Sequence, residues 1–209
     1  TPIQLTIDRM KTKYSNQVNE NEKKNFDENL KIINNQIKQI GNLVNEFSDF
    51  ARMPKPILKE NNLTQIISEN VKLLQELDKT ININFNDNKK EIFLNSDREQ
   101  MARVFFNLIK NSIESIQQRA ENDSNIVKNI TIEVNDENNH IIINIVDSGI
   151  GFAIFAANIK DILNPYFTTK KNGTGLGLSI VSKIINDHNG KIEFIPLDEG
   201  AKIKIDFIK

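Results

Sequence analysis

Between Phe26 and Ala51 the apolar positions Phe26, Leu30, Ile33, Ile37, Ile40, Val44, Phe47 and Ala51 follow one another in alternating steps of four and three. That spacing keeps one stripe of a helix turned toward a partner helix, as in the seam of a coiled coil or bundle. Leu43 and Phe50 widen the stripe, which suits a bundle better than a two-stranded rope. Ile3, Ile7, Met10, Tyr14 and Val18 mark a shorter helix upstream, and the polar run Asn19-Glu20-Asn21-Glu22 is expected to be the turn of an antiparallel hairpin. A lone hairpin cannot bury so wide a stripe. The pattern therefore predicts a second copy across a four-helix bundle, the alternative being a hairpin packed on its own globular part. The second helix is expected to stop near Met53, because Pro54 and Pro56 disfavour helix at and before themselves.

After Pro56 the pattern is mixed. It predicts helices over 63–77, 98–119 and 176–187. Strands are expected around 81–85, 91–94, 130–134, 141–146, 191–195 and 201–207. Such interspersion, with neighbouring strands at 130–146 and 191–207, predicts an α+β fold whose mixed sheet is covered by helices on one face.

Charge narrows the function classes. The 27 Lys and Arg balance 28 Asp and Glu, so the chain has no broad basic field for nucleic acid or a membrane surface. No cysteine occurs, and His140 and His188 stand far apart without ligand spacing, which argues against a thiolate or zinc site. No apolar run approaches membrane-spanning length. The chain opens at Thr1 without an initiator methionine, as a piece of something longer would.

Three motifs carry candidate chemistry. On the long helix, Met101, Val104, Phe105, Leu108 and Ser112 form the buried stripe. Asn107, Asn111 and Glu114 share another face at i, i+4 and i+7. Amide oxygens there can complete the shell of a magnesium ion carrying nucleotide phosphates, or can simply be solvated. Asp147-Ser148-Gly149-Ile150-Gly151 follows the very apolar strand 141–146. A carboxylate at that sheet edge can accept a hydrogen bond from an exocyclic amine such as adenine's; the bland reading is a turn opened by Asp. Gly173-Thr174-Gly175-Leu176-Gly177-Leu178-Ser179 opens a helix. Its backbone N–H groups and the helix dipole favour an anion, although no Gly-Lys-Ser/Thr of a P-loop follows. About twenty residues separate Gly151 from Gly173, the length of a lid, with Lys170 and Lys171 at its far end.

The order and spacing of these motifs resemble the histidine-kinase branch of the GHKL ATPase superfamily. Asn107 and Asn111 match its N box. Asp147, Gly149 and Gly151 match the first glycine box, Pro165-Tyr166-Phe167-Thr168-Thr169-Lys170 the lid motif, and Gly173, Gly175 and Gly177 the second glycine box. The segments Val44–Pro56 and Thr1–Leu5 are similar to the nitrogen-regulation, NtrY-like group of sensor kinases. The resemblance implies a Bergerat-type α/β sandwich over residues 57–209 that binds ATP and Mg²⁺. Residues 1–56 would be the dimerisation and phosphotransfer hairpin, cut just after its phospho-accepting histidine. Asp147 would bind the adenine amine, Asn111 the metal, and Asn107 the metal–phosphate cluster. Phe167, Thr168 and Lys170 would belong to the lid, and Gly173, Thr174, Gly175, Leu176 and Gly177 would wrap the phosphates. The implied partners are a second copy, through residues 1–53, and a response-regulator receiver domain, with neither nucleic acid nor direct membrane contact. The implied place is the cytoplasmic portion of an inner-membrane-anchored bacterial kinase.

Related ATPases carry a glutamate four residues before the metal-binding asparagine, as base toward water. Here that position is Asn107, so fast hydrolysis is not expected. An ATPase clamp and a nucleotide-free dimeric signalling module are the competing readings. The chain departs from the family at Phe152-Ala153-Ile154-Phe155-Ala156-Ala157, where proline and acidic residues are usual. It also departs at His188-Asn189-Gly190, where Asn189 is expected to take the left-handed cap of a missing glycine and His188 to be structural.

Overall fold

A computed structural model describes residues 2–15, 17, 19–86, 90–123, 125–152, 159–168, 170 and 173–209. The chain divides into two compact units, Thr1–Met53 and Pro54–Lys209. The first holds helices α1 (Pro2–Tyr14) and α2 (Glu20–Ala51), which pack on each other and bury Ile7 and Leu30. The polar run at 19–22 is not the turn expected for it. Asn19 is the N-cap of α2, and its carbonyl accepts the N–H groups of Glu22 and Lys23. Acidic residues suit the positive end of a helix, so the run opens α2, and the turn lies before it. Ile33, Ile40, Leu43, Val44 and Phe47 stay exposed, so α1 leaves much of the apolar stripe of α2 uncovered within this unit. Val18 and the Phe50 side chain lie outside the described residues.

The second unit is a two-layer sandwich. Its elements are β1 (Lys59–Asn62), α3 (Leu63–Leu77), β2 (Asn82–Asn86), β3 (Phe93–Ser96), α4 (Arg98–Asn122) and β4 (Asn129–Glu137). There follow β5 (His140–Asp147), α5 (Gly177–Asp187), β6 (Gly190–Pro196) and β7 (Ala201–Ile208). The main sheet has the order β2-β4-β5-β7-β6; β2 runs parallel to β4 and the other neighbours are antiparallel. Strict alternation on β5 buries Ile141, Ile143, Ile145 and Asp147, and on β7 it buries Ala201, Ile203, Ile205 and Phe207. Helices α3, α4 and α5 pack side by side and supply the other half of the core, with Ile66, Phe105, Leu108, Ile180 and Ile184 almost wholly buried. Among the described residues no helix is long and apolar enough to cross a membrane.

Local chemistry sets the joints. Asn138 and Asn139 both take positive φ and close a two-residue hairpin between Glu137 and His140, a turn that asparagine enters at little cost. Asn189 adopts φ 57° after α5, as expected where glycine is missing. Strand β1 was not expected. Its sequence Lys-Glu-Asn-Asn carries no alternation, and it exists because it pairs antiparallel with β3.

Asp97 caps α4 by accepting the N–H groups of Glu99 and Gln100, and its second oxygen accepts that of Ile57. Burial pushes the Asp97 carboxyl up, but the donors of Ile57, Gln100 and Glu99 outweigh it and hold the group below the ordinary value of 3.8. His188 is 7% exposed and, as read from the sequence, structural. Its Nε2 accepts the Asp97 N–H at 2.9 Å, and its Nδ1 meets the Ile184 carbonyl at 2.8 Å, which fixes the neutral tautomer with the proton on Nδ1. Replacing His188 with alanine orphans the Asp97 N–H, while the Ile184 carbonyl keeps the backbone N–H of residue 188. The expected cost is about 1–3 kcal/mol of unfolding free energy, read from urea denaturation.

Candidate functional site

Helix α4 holds the site because its faces are chemically distinct. Met101, Val104, Phe105, Leu108 and Ile109 fill the core and fix the rotation of the helix. That rotation sends Ser112 and Ser115 toward the loop after β5, and Asn107, Asn111 and Glu114 toward the segment before α5.

At the first junction, Asp147 ends β5 almost fully buried. Its Oδ2 accepts the Ser112 hydroxyl at 3.1 Å, and its Oδ1 accepts the Gly149 N–H at 2.9 Å. Burial raises the Asp147 carboxyl above 3.8, opposed in part by the donors of Gly149, Ser112 and Ala201. The Ser115 hydroxyl accepts the Ile150 N–H at 3.1 Å. Gly151 has φ +74°, and a Cβ there would stand 2.5 Å from the Gly200 carbonyl oxygen, so the loop after β5 and the β6–β7 turn meet with no room for a side chain. Arg119 spans the same joint, donating to the Ser148 carbonyl and pairing with Glu199. Phe152 sets its ring edge-on to Phe194 at 5.5 Å. The alanine-bearing stretch 153–157 lies outside the described residues, as do Thr169 and Lys171.

At the second junction, Asn107 donates its amide to the Arg103 carbonyl. Its oxygen lies 3.7 Å from where a Cβ on Gly177 would stand. Gly175 has φ +69°, and a Cβ on it would strike the Tyr166 backbone at 2.4 Å; the Tyr166 N–H bonds the Gly175 carbonyl. Tyr166 itself takes φ 70°, an unfavourable conformation for a bulky residue that this contact holds in place. Phe167 is half-buried beside it and Thr168 is exposed, its Oγ1 accepting the Lys170 N–H. The Gly173 N–H bonds the Lys170 carbonyl, and Leu176 is wholly buried. Leu176 is also the N-cap of α5 and makes no side-chain cap hydrogen bond; its own N–H reaches the Thr174 hydroxyl at 3.4 Å. Uncapped N–H groups at a helix start suit an anion. Lys170 Nζ donates to Asn111 Oδ1 at 3.0 Å and to the Glu114 carboxylate. Among the described residues no cluster of three histidine, aspartate or glutamate side chains could hold a metal ion.

Residues 96–208 match the family described as histidine kinase-, DNA gyrase B-, and HSP90-like ATPase. The chain belongs to this family. Within it, the chain is NtrY-like. It is 34% identical over 200 residues to the nitrogen regulation protein NtrY of Azorhizobium caulinodans, covering 96% of this chain and 25% of that protein. It is 33% identical to a putative sensor histidine kinase NtrY-like of Rickettsia felis, over 99% of this chain and 33% of the relative. The chain thus spans a quarter to a third of the length of these relatives. The catalytic domain of histidine kinase ThkA superposes with a TM-score of 0.61 at 28% identity, covering 73% of this chain and 95% of that one. A longer ThkA chain, solved in complex with the response regulator protein TrrA, gives a TM-score of 0.70 over the whole of this chain and 58% of its own, at 24% identity.

The matched span contains Asn107, Asn111, Asp147 and both glycine motifs of this ATPase-family chain. The sequence places them in order, and the fold gathers them along α4. What the sequence left unmarked is the supporting role of Ser112, read as part of the buried stripe, and of Ser115, Arg119 and Gly200, which no motif singles out. Only their polar atoms facing the β5 loop give them away, and that facing is a product of the packing.

The ionisation of Asp147 has a direction that stability can report. A carboxyl whose folded pKa is raised costs the folded state progressively more as pH climbs above its ordinary 3.8. Asp147→Asn keeps an acceptor for Gly149 and a donor for the Ser112 oxygen while removing the buried charge. The variant is expected to melt above the parent at pH 7, the gap narrowing as pH falls toward 4, in thermal unfolding followed by circular dichroism.

Proposed function

We propose that this chain is the ATP-binding catalytic portion of a sensor histidine kinase. It would move the γ-phosphoryl of ATP to a histidine imidazole, leaving ADP, and the group would pass on to a response-regulator aspartate. The observation that carries the reading is α4 joined to both glycine motifs at once, through Ser112 and Ser115 on one side and Asn107, Asn111 and Lys170 on the other.

In this reading the Asp147 carboxylate accepts the exocyclic amine of adenine and discriminates against guanine, whose corresponding group is an acceptor. The N–H groups from Gly173 to Gly177, with Thr174 and the buried Leu176 holding the turn, wrap the phosphates at the positive end of α5. Asn111 offers the amide oxygen that a hard divalent cation prefers, and it already receives a cationic group in this structure. Bound there, Mg²⁺ neutralises phosphate charge, and the phosphates and water would complete its shell. Phe167, Thr168 and Lys170 close over the nucleotide. Phosphoryl transfer asks mainly for positioning and charge neutralisation, which this donor set can supply.

Asn107 favours kinase over clamp ATPase. Its amide nitrogen is committed to the Arg103 carbonyl, and an amide has no basicity with which to activate water. The acceptor is neither histidine of the chain. Both ring nitrogens of His188 are taken by backbone groups. His140 pairs with Asp206 at the far end of β5, about 23 Å from Asp147 at roughly 3.3 Å per residue. The exposed stripe of α2 would bury itself against a second copy, making the first unit the dimerisation hairpin. The solved complex of ThkA with TrrA supports a receiver domain as partner. The likeness to NtrY-like sensor kinases supports a place on the cytoplasmic side of a membrane-anchored kinase.

Two measurements test this. Calorimetry with a non-hydrolysable ATP analogue and Mg²⁺ should give binding that Asp147→Asn weakens at least tenfold and that Asn111→Ala makes indifferent to Mg²⁺. Equal affinity for the GTP analogue would remove the adenine assignment.

Sedimentation should give a dimer that Ile40→Glu with Val44→Glu dissociates. Burying each of these side chains is worth roughly 1.5–3 kcal/mol. A monomer at high concentration would overturn the bundle.

A further inference from the structure

The Lys170 ammonium sits on the Asn111 amide oxygen and against the Glu114 carboxylate, one turn along the same helix face, and Glu114 also lies 3.8 Å from Lys110. Lys170 is held there by more than its charge. Its N–H donates to Thr168 Oγ1 and its carbonyl accepts the Gly173 N–H, so its backbone belongs to the turn that enters the second glycine motif. Asn111 and Glu114 together offer an amide oxygen and a carboxylate, and the group filling that space is a cation supplied by the chain.

We propose that the Lys170 ammonium competes with a divalent cation for the Asn111 oxygen and that Glu114 is the positioning residue that holds the ammonium there. The inference rests on the nucleotide reading above and adds a competition to it. The Asn111 oxygen serves either the ammonium or a divalent ion carrying phosphate, because two cations at one oxygen repel. Arrival of metal and nucleotide therefore expels Lys170 from Asn111. Glu114 keeps the freed ammonium on a short tether at the phosphate-facing side of α4, where it meets the incoming negative charge. The cost is a diminished benefit from the metal, because part of its binding free energy goes into displacing the ammonium.

The readout is a ratio, not an activity: the affinity for the ATP analogue with Mg²⁺ divided by the affinity without it. Lys170→Met and Glu114→Gln are each expected to raise this ratio severalfold, whichever way they move the metal-free affinity. The double variant should raise it no further than the single ones, because both substitutions undo one contact. Lys183→Met, at a lysine of α5 that pairs with Asp187 and lies outside the contact, should leave it unchanged. An unchanged or lowered ratio in Lys170→Met overturns the proposal. An additive rise in the double variant overturns it too, since the two side chains would then act on the phosphates independently. Failure of the unsubstituted chain to bind the analogue at all is a different result, and it sinks the nucleotide reading itself.

Discussion

The rotation of α4 about its own axis is the constraint on which the remainder of the second unit depends. Five large apolar side chains, from Met101 to Ile109, fix that rotation by filling the space over the sheet. Everything polar on the helix then has its direction assigned. A turn of the helix by one residue, about 100°, would carry Ser112 away from Asp147 and Asn111 away from Lys170 together. Packing and site geometry are consequently one problem here, and core substitutions along α4 will register as site defects as well as losses of stability.

Asp147 shows the opposite balance. Burial opposes its charge, and the Ser112 and Gly149 donors recover only part of the loss. A protein selected for stability alone would place an amide or an apolar residue there. Retaining a carboxylate with free accepting capacity against the core makes sense when something outside the chain donates to it.

The legible part of the fold was the part written in periodicity. The stripes of α3, α4 and α5 and the alternation of β5 and β7 placed those elements to within two or three residues. Elements defined by partners instead of patterns were missed: β1 is polar throughout and forms only because β3 lies beside it. The hairpin run at 19–22 was misplaced for a related reason, since glutamate and asparagine serve a loop and a first helical turn equally well. At the site, the motif residues could be named because the three motifs stand together in a specific order and spacing; asparagines alone are common throughout this chain. Their supports could not, because a serine facing a loop is indistinguishable in sequence from a serine facing water. Arg119 and Gly200 matter through contacts made across 29 and 49 residues of chain, to Ser148 and Gly151.

The hydrogen bonds that run from Ile57 through Asp97 and His188 to Ile184 form a strut only a few bonds long. Its links end on backbone atoms or on a side chain already fixed by a helix cap, so it has almost no slack. The segment at Ile57 is thereby fastened to the start of α4 and the end of α5. A tug on that segment is borne by both helices as a shared load. A displacement of Ile57 is therefore divided between the start of α4 and the end of α5, with no flexible side chain along the way to absorb it.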